Sequence, residues 1–162
     1  MKNSGKVKIE FFLVMILLIL FGVSTFSLVA GASKAYSRKS AENQAKDSIR
    51  LASAYVQSRI GQANDRKKVD VVPNPVTNEN SIRIEEDYNG EVFYTWVYFD
   101  QGSLKEAFIG KDVALEDSYA FDITNLDSFE ITKSGKLIIV DLSAKSQDKT
   151  YTNNIIIDSL KN

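Results

Sequence analysis

Cysteine and histidine are both missing from the 162 residues. The first absence excludes disulfides, thiolate metal sites and cysteine nucleophiles. The second removes the usual near-neutral general base and the commonest metal ligand. Proline occurs twice, at Pro73 and Pro75, and tryptophan once, at Trp96. Glycine-rich phosphate loops are absent too, and Asp112, Glu116 and Asp117 lack the spacing of a calcium-binding EF-hand. Catalysis is therefore not expected, and neither a metal nor a cofactor is called for. Basic residues without interleaved aromatics give no expectation of direct nucleic-acid binding.

What is present is unevenly distributed. Residues 34–68 carry nine Lys/Arg against three Asp/Glu, a net +6, whereas residues 69–162 carry eight against seventeen, a net −9. A basic stem is thus joined to an acidic head, and such blocks usually meet different surroundings. Ahead of the stem, Phe11 to Ala32 runs without a charge. At about 1.5 Å per helical residue it spans roughly 33 Å, the thickness of a bilayer hydrocarbon core. Lys2, Lys6 and Lys8 precede it, and Lys34, Arg38, Lys39, Lys46 and Arg50 follow. Charge alone leaves the orientation open. Ala30-Gly31-Ala32 also fits the small-x-small pattern of a signal-peptidase site, so removal of the run after Ala32 competes with anchoring. Within the run, Ser27, Gly31 and Ala35 follow at four-residue spacing, a small-xxx-small stripe that permits close helix packing.

Beyond the run, Ala45, Ile49, Ala52, Val56, Ile60 and Ala63 recur at three- and four-residue intervals, which predicts one apolar face of a helix over 33–65. The stripe is narrow and built of small residues, which suits packing on a sheet. If the apolar run continues into it, one helix extends from Phe11 to Asn64. A connector, 66–80, holds both prolines and has room for a short strand at Val69–Val72. The rest, 81–162, reads as antiparallel hairpins: 82–87 with 91–99 across Asn89-Gly90, then 103–109, 128–132 with 136–144, and 150–158. The intervening 110–127 reads as a polar loop. The strand EVFYTWVYF is apolar on both faces and needs cover on each, by the stem helix on one and by the Asp112–Ala120 segment or a neighbouring subunit on the other. The expected fold class is α+β, a long N-terminal helix on an antiparallel sheet.

A helix half in the membrane and half packed on a sheet resembles the type IV pilins and pseudopilins. The opening MKNSGKVKIE is similar to their leader junction: Gly5 would close the leader residues, Lys6 would be the first residue after it, and Glu10 the fifth. Charged Lys6 and Lys8 depart from the apolar start of that pattern. EVFYTWVYFDQGSLKEAFI, LDSFEIT and GKLIIVDL resemble an uncharacterised family of membrane-anchored, pilin-like proteins of Gram-positive bacteria. The resemblance implies a minor subunit of a pilus-type or type II secretion-like envelope assembly, N-terminus inside and head outside. It implies processing at Gly5–Lys6 by a prepilin peptidase, partners among other pilin-like subunits, and an assembly role for Glu10. Inside a membrane a carboxylate costs about 2.5–3.5 kcal/mol or more unless paired, and the implied partner is the freed amine of a neighbour's Lys6. The simpler reading puts Glu10 at the headgroup level beside Lys6 and Lys8. A monomeric anchored domain that binds a ligand or envelope partner is the alternative function.

Overall fold

The computed structural model describes residues 4–63, 68–147 and 149–158, with side chains from Ile9 onward. The chain divides into two compact units, 1–40 and 41–162. A single helix, α1 (Ser4–Gln62, 59 residues), begins seven residues earlier than expected and runs through Gly61. Where nothing crowds the backbone, one glycine near a helix end costs only about 1 kcal/mol and does not stop it.

Among the described residues eight strands follow: β1 (Val69–Pro73), β2 (Asn80–Tyr88), β3 (Glu91–Asp100), β4 (Ser103–Gly110), β5 (Ala120–Asn125), β6 (Ser128–Ser134), β7 (Leu137–Lys145) and β8 (Thr150–Asp158). They form two antiparallel sheets, one ordered β1-β2-β3-β4-β5 and one ordered β6-β7-β8. Each strand pairs with its sequence neighbour, the economical outcome for hairpins. The β2–β3 and β3–β4 turns are two residues long. Asn89 and Gly90 sit at φ 57° and 89°, Gln101 and Gly102 at 49° and 83°. Both residues left-handed is the turn whose twist matches the strands, which is why Asn-Gly is its strongest sequence signal.

The short strand for which the connector had room forms as β1, paired with β2 from Val69 opposite Ile84 to Pro73 opposite Asn80. One feature differs from the sequence reading. The expected polar loop at 110–127 contains β5, a six-residue edge strand whose pairing with β4 shifts register at Leu104/Lys105. That irregularity breaks the period-2 pattern on which strand recognition rests.

Within the second unit, α1 buries Ala45, Ile49, Ala52, Val56 and Ile60, the anticipated stripe. They pack against Ile82, Ile84, Val97 and Leu104 of the larger sheet and Phe129, Ile131, Ile138, Val140, Leu142 and Ile155 of the smaller one. One helix face thus covers both sheets. Small side chains let the backbone come close, and each buried Ile, Val or Leu contributes about 1.5–3 kcal/mol. The far face of β3 is also covered. Trp96 and Tyr98 bury with Ala107 and Ile109 beneath Leu115, which the segment after β4 supplies, with Ala120 beside them. Lys105 fastens that segment, donating to Asp117 at 2.6 Å and Asp100 at 2.9 Å. Asp117 is therefore engaged in an ion pair. β6 runs close to β1, β2 and β3, and the Asn80 side chain donates to the Ile131 carbonyl at 2.9 Å.

Candidate functional site

Three places in the molecule could carry function. The first is the apolar part of α1. Large side chains from Ile9 to Val29 are all solvent-exposed, from 43% for Met15 to 76% for Phe26. Soluble proteins rarely expose a continuous apolar surface of this size. The helix is long and apolar enough to cross a membrane once. Within it, Ser24 and Thr25 donate to the carbonyls of Leu20 and Phe21, each at 2.8 Å. A hydroxyl bonded back to its own helix presents no unsatisfied donor to hydrocarbon.

The positions singled out in the sequence all fall on this helix. Glu10 is exposed immediately before the uncharged run. Ser27, Gly31 and Ala35 are exposed along one side. A methyl group added at Gly31 would meet nothing within 4 Å, so the fold of this chain does not itself require glycine there. Gly5 and Lys6 lie outside the residues whose side chains are described.

The second place is a buried polar group in the head. Glu106 is buried on β4 in phase with Leu104, facing α1. Its carboxylate accepts from Arg59 Nε at 2.7 Å, from a second guanidinium nitrogen of Arg59, and from the Tyr55 hydroxyl. Tyr55 and Arg59 lie four apart and therefore on one side of the helix. The phenol of Tyr55 is held well above its ordinary range by burial and then by its bond to Glu106. The Arg59 guanidinium is held more firmly protonated by its bonds to Glu106. Three donors from one side of α1 thus hold this carboxylate at the helix–sheet interface. It clamps helix to sheet. Sequence reasoning missed the group. Its one available signal was a glutamate in the buried phase of SLKEAFI.

The third place is an aromatic group on the same sheet face. Phe93 and Phe108 stack with centroids 5.0 Å apart, and Tyr88 meets them edge-on at 5.8 and 6.1 Å. Tyr88 and Phe108 are about half exposed, at 51% and 46%. Among the described residues, no cluster of three or more carboxylates is placed to hold a metal ion.

The model of a protein family described as Domain of unknown function (DUF4860) matches residues 47–145, more than half of the chain. The chain belongs to the DUF4860 family. The matched DUF4860 region takes in Tyr55, Arg59 and Glu106 and all three members of the aromatic group, and stops short of β8 and of the exposed apolar helix. No curated protein and no solved structure matches the chain.

Proposed function

We propose that this DUF4860 protein is a structural subunit of minor pilin or pseudopilin type, in a type IV pilus-type or type II secretion-like envelope assembly. The observation that carries the reading is the exposed apolar surface from Ile9 to Val29 on the same helix that later forms the core of an antiparallel head. In this reading the run is held in the cell membrane, with the N-terminus cytoplasmic and the head outside. Ser27, Gly31 and Ala35 give neighbouring helices a smooth line of approach. Glu10 pairs with the amine that processing between Gly5 and Lys6 would free on an adjacent subunit.

Mass spectrometry of the mature N-terminus, on protein from its native host, tests the proposal. A start at Lys6, particularly N-methylated, supports a processed subunit, with a prepilin peptidase as a partner. A start at Ser33 makes the apolar run a discarded signal and overturns it. An intact Met1 or Lys2 leaves a plain anchor and takes the assembly role from Glu10.

A second reading, a monomeric anchored domain that binds a ligand or envelope partner, is favoured by the exposed Tyr88 and Phe108 packed on the half-buried Phe93. Rigid stacked aromatics supply contact area at low entropic cost. Self-association through the apolar helix separates the two, since the first reading requires it and the second does not.

A further inference from the structure

Among the described residues the two sheets end in four outer strands, β1, β5, β6 and β8, and three of them are blunted. β1 has five residues and ends at Pro73. β5 is six residues long, carries exposed Asp122 and pairs through a register shift. β6 places the charges of Glu130 and Lys133 along its length. Short strands, proline, bulges and charges are the devices by which natural sheets prevent unwanted pairing.

β8 is long and regular, and its one charge is Asp158 at its end. It pairs with β7 in unbroken register over nine residues, from Thr150 opposite Lys145 to Asp158 opposite Leu137. Between Tyr151 and Ile157 there is no charge and no proline. Ile156 is 62% exposed although it lies within a regular strand. Beside the strand lies a groove of about 770 Å³, bordered by Tyr151, Thr152 and Asn153 on one side and by Lys46, Arg50 and Ser53 of α1 on the other. The groove lies beside the 151–153 end of the strand, where the Asn153 amide donates to the Ser53 hydroxyl at 2.8 Å.

We propose that β8 is a homotypic docking edge, where it pairs antiparallel with β8 of a second copy about a two-fold axis at Asn154. The sequence fits this occupant. In that register Thr152 faces Ile156, Tyr151 faces Ile157, Asn153 faces Ile155, Thr150 faces Asp158, and Asn154 faces itself. No like charges oppose one another, and β-branched and aromatic residues meet across the strands, the pairs that stabilise antiparallel sheets. Asn154 already donates to Asp141 of its own sheet at 2.6 Å. The two Asp141 carboxylates would thus be kept apart by a pair of asparagines. Two three-stranded sheets become one of six, and Ile156 is covered by the partner's Thr152. A two-fold contact of this kind closes on itself and gives a pair rather than a filament. The inference does not depend on the subunit proposal.

The absence of native cysteine makes the test clean. Single-cysteine variants of the full chain in detergent micelles are exposed to mild oxidant, and disulfide dimers are scored on non-reducing gels. Directly opposed residues of antiparallel strands have Cα atoms about 4.5–5.5 Å apart, inside the roughly 4.4–6.8 Å that a disulfide spans. Asn154→Cys forms a dimer. Thr132→Cys, on the far edge of the same sheet, does not. Adding Ile156→Lys to Asn154→Cys abolishes the dimer, while the fluorescence of Trp96, in the other sheet, remains native. No dimer from Asn154→Cys, or as much from Thr132→Cys, overturns the proposal. Association through the apolar helix would persist in that event, so the failure is distinguishable from failure of the subunit reading.

Discussion

Breaking the bond between Glu106 and Arg59 gives the most informative perturbation of the head. The Glu106 side chain is 4% exposed and that of Arg59 is 29% exposed. Removing one partner of a buried ion pair costs about 3–5 kcal/mol, because the other is left charged and unpaired. Glu106→Leu leaves a guanidinium that still reaches water, so the cost falls near about 3 kcal/mol. Arg59→Leu leaves a carboxylate with the Tyr55 hydroxyl as its remaining side-chain partner, which puts it nearer about 4–5 kcal/mol. Replacing both members removes both uncompensated charges, and apolar replacements of buried pairs are often close to neutral. The double variant is therefore expected within about 1–2 kcal/mol of the parent, a strong non-additivity. Urea unfolding in micelles, followed by Trp96, reads the head alone, since the single tryptophan lies in the core of the five-stranded sheet. Single variants that each cost under about 1 kcal/mol and add in the double would refute the clamp, for that is how an exposed ion pair behaves.

Three further outcomes follow from the packing. Ala52 is fully buried where α1 meets the sheets; Ala52→Leu should cost about 1–3 kcal/mol by overpacking in the same unfolding assay. The phenols of Tyr55 and Tyr98 are both raised above their ordinary value, chiefly by burial. A group whose folded pKa exceeds its unfolded value stabilises fully below the unfolded pKa and loses that contribution above it. The urea midpoint should thus hold steady below about pH 10 and fall above it, with a shallower fall in Tyr98→Phe. Leu18→Arg places a charge mid-run at a cost of about 2.5–3.5 kcal/mol, so carbonate extraction should release more of the variant from membranes than of the parent.

Much of this architecture was written locally. The uncharged run, the stripe from Ala45 to Ala63 and the hairpins at Asn89-Gly90 and Gln101-Gly102 each rest on a short periodicity or a turn chemistry confined to neighbouring residues. So does β8, which was read at its observed ends because its flanks are polar. The apolar segment of α1 was legible as well, since composition alone marks it. Other features depended on partners distant in the chain. β5 is a strand because β4 offers it an edge, and its register shift erases the alternation that would have announced it. Glu106 is 47 residues from Arg59, and only packing shows that its in-phase carboxylate is answered across the helix–sheet interface. That one helix face covers two separate sheets likewise shows only in the packing, where the stripe meets residues from both. Sequence fixes which faces are apolar; the fold decides which of them meet, and which, like the outer edge of β8, stay open.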